Sequence, residues 1–430
     1  MLNKPSTASS LTEWLDWLIQ LHAQEIDLGL ERVTEVANRL AVLKPAPVVI
    51  TVAGTNGKGS SVALLVAILT AAGYRVGSYT SPHLLHFNER IQINAQPVSD
   101  QVIKDAFAAI EAKRQSTKLT YFEFATLAAL SIFSRANLDV VVLEVGLGGR
   151  LDAVNMVDAD ATLITAIDVD HIEWLGSDRE QIGFEKAGVM RAGQLSVCSD
   201  RSPPQRLLQH AAALNVDLAC LGRDFEFERE ALNNNQDWCF VAKERIDNLP
   251  MPALLGEFQL QNAAGVLALL TKQQILKLDR QAIEVGLKTV KHPGRLQTIQ
   301  LNHQAWLLDV AHNPQSAKAL ADYLAQQPVI TKRLVIFAAL NDKDQAPMVK
   351  AIAPYASEWL LVELGGARST PLADLQAVLR LCGINDDQVW AMDSMQHAVS
   401  WAKKQDINQV LVYGSFITVS QALEELAWMN

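Results

Sequence analysis

Cysteine is scarce in this sequence. The four that occur, Cys198, Cys220, Cys239 and Cys382, stand far apart, with no metal-type or redox-pair spacing. They read as reduced, mostly buried thiols, which points to the cytoplasm. Positive charge is also in deficit: 37 Lys and Arg against 47 Asp and Glu give a formal charge of −10. That balance excludes the basic face of a nucleic-acid binder, and no block of like charge offers docking on a membrane or a polyanion. The longest apolar run, Val62 to Ala72, falls well short of the ~20 residues of a spanning helix. Glu13 and Asp16 interrupt the first apolar stretch, so no secretory leader is expected. Low-complexity tracts and short-period repeats are missing too. What remains is ordinary globular composition over 430 residues, 49% hydrophobic and 20% charged. A chain of that length is too long for one core and suggests roughly two or three domains.

Leu11, Trp14, Leu15, Leu18 and Ile19 recur at helical spacing and predict a first helix with that face buried. Val48 to Ala53 is a short β-rich run, Val62 to Ala72 is helical, Gly73 stops the helix, and "YRVGSYT" reads as a second strand. That order is a βαβ unit. It continues with a helix in "YFEFATLAALSIFSRA", a buried strand in "LDVVVLEV", the loop "GLGGRLDAVN" and a strand in "ATLITAIDVD". Val/Ile/Leu strands alternating with helices predict an α/β fold with a parallel sheet covered on both faces. Residues 220 to 250, with "LNNNQDW", read as a surface β-hairpin. "FQLQNAAGVLALLTKQQ" is helical again, and Pro293 with Gly294 then breaks the pattern. The boundary is placed near residue 296, giving domains 1–296 and 297–430. Beyond it "AWLLDV", "RLVIFAAL", "EWLLVEL", "DQVWAM" and "QVLVYG" are strands, each followed by a helical segment, as in a smaller Rossmann-like domain.

The loop "GTNGKGSS", residues 54–61, fails the common phosphate-loop pattern, because only Thr55 and Asn56 separate Gly54 from Gly57. Its bland reading is a flexible turn. The strand before it and the helix after it argue otherwise, since backbone N–H groups and a helix N-terminus converge there. Lys58 supplies a phosphate counter-charge, and Ser60 and Ser61 offer hydroxyls to Mg²⁺. A GTP-binding switch is excluded, because Asp-x-x-Gly and Asn/Thr-Lys-x-Asp elements do not occur. A dinucleotide fingerprint in "GLGGRL" fails as well, with Leu151 where the third glycine belongs. Glu144 ends a buried strand, where a carboxylate without a cation is costly; an ion pair or a cap is the plain alternative. His171 is read as ending a strand too, and a lone histidine there is as often a structural hydrogen-bonder as a ligand. Asp309 ends a strand of the second series, at the edge where such sheets bind ligands.

The loop spacing is that of the Mur-type ATP-dependent amide ligases. Around it stand "IDLGLERV" (26–33), "SPHL" (81–84), "NERI" (88–91), "LTYFEFATLAAL" (119–130), "LEVGLGGRLDAVN" (143–155), "DH" (170–171), "EKAGVMR" (185–191), "HPGRLQ" (292–297), "LDVAHNP" (308–314) and "YGSF" (413–416). Together, and nearly end to end, these resemble the dihydrofolate synthase/folylpolyglutamate synthase family. The resemblance implies the two-domain Mur-ligase architecture, a P-loop ATPase-type sheet domain followed by a Rossmann-like one. It implies ATP and two Mg²⁺ ions. ATP would lie on Gly54, Thr55, Asn56, Gly57, Lys58, Gly59 and Ser60, with Asn262, Arg295 and Asp309. The metal ligands fall on Ser60, Ser81, Glu144 and His171, and Lys186 in "FEKAG" would carry a carbamate. Lys58, Glu144, His171 and Lys186 are then the catalytic set.

The folate-facing residues implied are Asp27, Leu28 and Gly29; Thr120, Tyr121, Phe122 and Glu123; and Leu151, Asp152 and Ala153. His312 and Ser415 would line the cleft, though caps or loop formers would look the same. Phe122 can stack on a flat pterin, with core packing as its alternative, and Asp152 can accept from the ring's amino and N–H groups. The implied activity is ATP-dependent ligation of L-glutamate to dihydropteroate and to reduced folates through an acyl phosphate. Alternatives are a monofunctional folylpolyglutamate synthase, a cell-wall Mur ligase, and a non-catalytic nucleotide switch. The expected partners are small molecules alone, with no nucleic acid and no membrane, for a monomer in the cytoplasm.

Overall fold

Six consecutive buried residues form the strand β1 (Val48–Ala53), and the first half of the molecule is arranged around it. The computed structural model describes residues 4–6, 8–22, 24, 26–229, 237–273 and 275–427. The chain divides into two units, Met1–Ala253 with Gln259–Val290, and Leu254–Phe258 with Lys291–Asn430. Among the described residues no helix is long and apolar enough to cross a membrane.

In the first unit β1 is joined by β2 (Val76–Tyr79), β3 (Ile91–Ile93), β4 (Gln96–Pro97), β5 (Val140–Glu144), β6 (Ala161–Ile164), β7 (Leu195–Cys198) and β8 (Asp217–Cys220). Their order is β4-β3-β2-β5-β1-β6-β7-β8, parallel from β2 through β8, with β3 and β4 an antiparallel edge. The helices before the sheet are α1 (Leu11–Leu21) and α2 (Glu31–Leu40); α3 (Lys58–Ala71), α4 (Asp100–Arg114) and α5 (Tyr121–Phe133) follow. From β1 the chain passes through α3 to β2 on one side, while β6 pairs with β1 on the other. The carboxyl end of β1 is thus a topological switch point, where open α/β sheets bind ligands.

Ser10 and Glu13 form a capping box that starts α1, and the helix buries Leu11, Trp14, Trp17 and Leu18. The expected face is corrected at Ile19, which is 65% exposed. The buried stripe centres on Trp14, and Trp17 packs edge-on against Phe124 with ring centroids 6.4 Å apart, leaving Ile19 at the margin. The cysteines match the expectation of mostly buried thiols, with Cys198, Cys220 and Cys239 buried, and Cys198 and Cys220, far apart in sequence, are register partners on β7 and β8. All four thiols are free.

After β6 come α6 (Ile172–Leu175), α7 (Arg179–Ala187) and α8 (Gln205–Ala213). The predicted hairpin is instead a three-stranded antiparallel sheet, β9 (Glu226–Arg229), β10 (Trp238–Val241) and β11 (Arg245–Leu249), with β10 central. The "LNNNQ" stretch of that expectation lies outside the described residues. Then follow α9 (Phe258–Lys272) and α10 (Arg280–Thr289).

The second unit holds β12 (Gln297–Leu301), β13 (Gln304–Asp309), β14 (Arg333–Phe337), β15 (Glu358–Val362), β16 (Val389–Met392) and β17 (Gln409–Tyr413), in the order β12-β13-β17-β14-β15-β16. Helices α11 (Pro314–Ala325), α12 (Gln345–Ile352), α13 (Leu372–Leu381), α14 (Met395–Ala402) and α15 (Phe416–Ala427) alternate with the strands from β13 on. The five expected strands are there. The sixth, β12, runs antiparallel on the edge, and none of its residues is fully buried, so no apolar run announces it. Phe337 and Tyr413 stack at 4.9 Å in the core of this unit.

Helices α3 and α10 approach so closely at Gly286 that a Cβ there would lie 2.6 Å from the Ile68 Cα and 2.7 Å from its backbone nitrogen. Backbone atoms cannot step aside as a side chain can. Gly286→Leu is therefore expected to cost about 1–3 kcal/mol by overpacking, read as a lowered denaturation midpoint. An unchanged midpoint would contradict the packing described.

Candidate active site

Strand β1 ends at Ala53 and α3 begins at Lys58, so the turn between them is Gly54 to Gly57. It is stitched to the chain beyond β6. Thr55 and Asn56 N–H groups both donate to the Ala166 carbonyl, at 2.8 and 3.2 Å. The Thr55 hydroxyl donates to the Asp168 carbonyl and accepts from the Asp168 N–H, each at 3.0 Å. Gly57 caps α3 at φ 93°, and a Cβ there would come within 2.4 Å of Asn262 Oδ1. Both the left-handed backbone and the close approach require glycine. Asn262, buried in α9, donates to Gln259 Oε1 at 2.9 Å, and Gln259 Nε2 donates to Ser60 Oγ at 3.2 Å. Gln259 was not anticipated. It lies one helical turn before Asn262 in "FQLQN", and that spacing was its only signal.

Lys58 Nζ donates to the Gly54 and Thr55 carbonyls, each at 3.1 Å. Lys186, buried near the end of α7, donates to the same Gly54 carbonyl at 2.9 Å. Two amines thus converge on one oxygen. Burial, and then the Lys58 charge, bring the Lys186 pKa down to about 7, against the opposing pull of Asp170 and Asp152.

Glu144 ends β5 beside Val52 of β1, is buried, and accepts from the Ser81 N–H at 3.3 Å. The expectation that His171 ends a strand is corrected. Strand β6 stops at Ile164, because the Ala166 backbone is taken up by the turn and the Ile167 N–H by Asp200, at 2.7 Å. His171 instead stands at φ 52° as the N-cap of α6, with its N–H donating to Asp170 Oδ1 at 2.8 Å. Among the described residues no three His, Cys, Asp or Glu side chains form a metal-holding cluster. Ser60, Ser81, Glu144 and His171 offer one carboxylate, one imidazole and two hydroxyls. The carboxylate and hydroxyls fit Mg²⁺ sites completed by water and phosphate oxygens, whereas the imidazole is an unusual ligand for that ion and fits a weaker second site.

On the far side of the sheet's carboxyl end, Thr120 and Glu123 form the capping box of α5, with Thr120 N donating to Glu123 Oε2 at 2.8 Å. Glu123 is also paired with Arg32 at 2.9 Å, and Arg32 pairs in turn with Asp27 at 2.7 Å. Arg32, unremarked in the sequence although it stands in "IDLGLERV", therefore ties the Asp27–Leu28–Gly29 segment to the start of α5. Tyr121 and Phe122 are half-buried, and Phe122 has its ring 6.1 Å from that of Tyr79. Asp152 is buried, with Leu147 and Val154 N–H groups donating to it at 2.7 and 2.9 Å. Burial raises its pKa to about 6, against those donors and Lys58. Its carboxylate thereby ties together the loop on either side of Leu151 and Ala153.

In the second unit Asp309 ends β13, buried, accepting from Leu296 and Ala311 N–H groups at 2.9 and 2.8 Å. Burial raises its pKa, opposed by Arg295. The Arg295 guanidinium lies 5.1 Å from the Phe416 ring centroid, and the His312 ring 5.8 Å from it. His312 Nδ1 lies 2.9 Å from the Val310 carbonyl, which makes it the protonated nitrogen of the neutral ring. Ser415 is buried, and its hydroxyl caps α15 by accepting from the Thr418 N–H at 3.0 Å.

Two families match the sequence: the Mur ligase middle domain over residues 52–270 and the Mur ligase glutamate ligase domain over residues 294–416. The chain is 40% identical over 421 residues to the dihydrofolate synthase/folylpolyglutamate synthase of Escherichia coli (strain K12), covering 98% of this chain and 96% of that protein. Its fold superposes on E. coli FolC in complex with DHPP and ADP with a TM-score of 0.91 at 39% identity, over 99% of this chain and 100% of that one. It also superposes on a bifunctional folylpolyglutamate synthase/dihydrofolate synthase with Mn, AMPPNP and L-glutamate bound, at a TM-score of 0.90 and 41% identity, over 99% and 100%.

The Lys186 environment has a consequence for stability. Its pKa in the folded protein lies below the ordinary 10.5, so between about 7 and 10.5 the unfolded chain holds more protons. Stability contributed by this group therefore rises with pH across that window. In bicarbonate-free buffer, wild type should gain unfolding free energy from neutral to alkaline pH relative to Lys186→Met. A constant difference between the two would contradict the buried amine.

Proposed function

The chain belongs to the Mur ligase family, among its dihydrofolate synthase/folylpolyglutamate synthase members, and we propose that it uses ATP to join L-glutamate to dihydropteroate and to reduced folates. The observation that carries this reading is the turn of Gly54 to Gly57 with Lys58 and Lys186 both bonded to its first carbonyl. In the proposed reaction the substrate carboxylate takes the γ-phosphoryl group of ATP to give an acyl phosphate. The glutamate amine attacks its carbonyl carbon, and the tetrahedral intermediate expels phosphate.

Phosphoryl transfer calls for positioning and charge neutralisation. The Lys58 ammonium and the N–H groups opening α3 serve the phosphates. Ser60, Ser81, Glu144 and His171 would hold Mg²⁺, which when bound neutralises phosphate oxygens. Lys186, neutral in a large fraction near its pKa of about 7, is suited to add carbon dioxide and release a proton, leaving a carbamate. The carbamate is an anion, so it replaces cation–cation repulsion at Gly54 with attraction to Lys58.

In the first unit Phe122 offers a face to the pterin and Asp152 an acceptor, with Arg32 holding Asp27 and Glu123 behind them. In the second, Asp309, Arg295 and His312 form the cluster we assign to the nucleotide and glutamate. The division of labour follows the two matched domains, with a glutamate ligase domain in residues 294–416. We place the enzyme in the cytoplasm, as a monomer, where its four free thiols stay reduced.

An ATP-dependent phosphate-release assay across dihydropteroate, tetrahydrofolate and the cell-wall nucleotide substrate tests the reading. Release that requires glutamate together with either of the first two is expected. Release with the cell-wall substrate alone, or without glutamate, would overturn it. Lys58→Ala and Glu144→Ala should each lower turnover by ~10²-fold or more, with unfolding midpoints near wild type. Near-normal turnover in either variant would remove that residue from the mechanism. Isotopically labelled bicarbonate should give a carbamate carbon resonance in wild type and none in Lys186→Arg; its absence from wild type would refute the carbamate.

A further inference from the structure

The "NERI" motif contributes no residue to the site described above, yet it buries a charge. Arg90 closes the short helical turn Phe87–Arg90 and is 8% exposed. Its Nε donates to His83 Nδ1 at 2.8 Å. Its guanidinium carbon lies 5.7 Å from the Phe87 ring centroid and 5.6 Å from that of Tyr121. Neither Nη group has a hydrogen-bond partner among the described residues, and no carboxylate there pairs with it. The adjacent Glu89 does not serve: it accepts from the Leu84, Leu85 and His86 N–H groups at 2.7, 2.8 and 2.7 Å.

The guanidinium is packed against ring faces and one imidazole, while its Nη edge is not sealed in the core and is open to water or a ligand. Its open edge is a planar fork of N–H donors, which matches a carboxylate. The hydrogen bond from Arg90 makes His83 Nδ1 an acceptor, so in the neutral ring Nε2 carries the proton and adds a second kind of donor.

Position identifies the carboxylate. The Arg90 carbonyl accepts from the Thr80 N–H at 2.9 Å, one residue before Ser81, which bonds Glu144. On its other side Arg90 covers Tyr121, the residue before Phe122. It therefore stands between the metal-facing strand ends and the ring assigned to the pterin. Dihydropteroate has one carboxylate, and that one reacts. A reduced folate is longer by a glutamate, whose γ-carboxylate reacts and whose α-carboxylate does not. We propose that Arg90, with His83, binds the α-carboxylate of the glutamate already on the folate, and so sets the preference between the two ligations. This rests on the functional reading above.

The test is steady-state kinetics of the full chain and its Arg90→Gln and Arg90→Lys variants, with tetrahydrofolate monoglutamate and with dihydropteroate. Arg90→Gln should raise the KM for tetrahydrofolate at least about tenfold more than that for dihydropteroate. Arg90→Lys, which keeps the charge without the fork, should fall between it and wild type. Equal rises for the two substrates would overturn the proposal, as would a rise confined to the KM for L-glutamate, which would give the site to the incoming amino acid. If Arg90→Gln does not fold, the same ratio in Arg90→Lys decides. A wild-type chain inert toward both substrates would instead overturn the functional reading itself.

Discussion

Two lysine amines, Lys58 and Lys186, donate to one carbonyl oxygen, that of Gly54, and the rest of the site depends on how the chain tolerates this. Burial of Lys186 disfavours its charged form most, and the nearby Lys58 charge adds a repulsion of several times the thermal energy at an effective dielectric of about 20. The chain answers by shifting Lys186 toward its neutral form, with Asp170 and Asp152 opposing the shift. The convergence is possible only because the turn is so short. Gly54 to Gly57 leaves room for no side chain against Asn262, and the Thr55 and Asn56 N–H groups are held by Ala166. A longer loop would place the first carbonyl elsewhere and release the second lysine.

The same constraint fixes what lies around the turn. Strand β6 ends at Ile164, two residues before Ala166, whose carbonyl belongs to the turn, and His171 is reached through irregular backbone and adopts a left-handed conformation. Glu144 is set beside β1 by strand register, so its distance along the sheet from the turn is not adjustable by a rotamer. The anionic ligands proposed here are thus met by groups placed by backbone geometry, which costs little reorganisation when charge moves.

Much of the fold was legible because buried parallel strands leave near-continuous Val/Ile/Leu runs, as in β1, β5 and β14. What escaped was polar or paired across distance. The edge strand β12 has no fully buried residue, and the register of Cys198 with Cys220 exists only in the sheet. In the site, the motif "GTNGKGS" announced itself by type and spacing. Arg32 did not, because its partner Glu123 is 91 residues away and nothing in either segment names the other. Gln259 escaped for the same reason: its partner Ser60 is 199 residues away. The Ser415 hydroxyl caps a helix, the alternative that a strand–helix junction leaves open in the sequence.

In the proposed reaction the substrate carboxylate is phosphorylated before glutamate attacks, and the fate of one oxygen atom tests this order directly. Dihydropteroate carrying heavy oxygen in its carboxylate should transfer one labelled oxygen to inorganic phosphate for each ligation, because the bridging oxygen of the acyl phosphate leaves with the phosphoryl group. Mass spectrometry of the released phosphate reads this. Unlabelled phosphate accompanying full ligation would rule out the acyl phosphate.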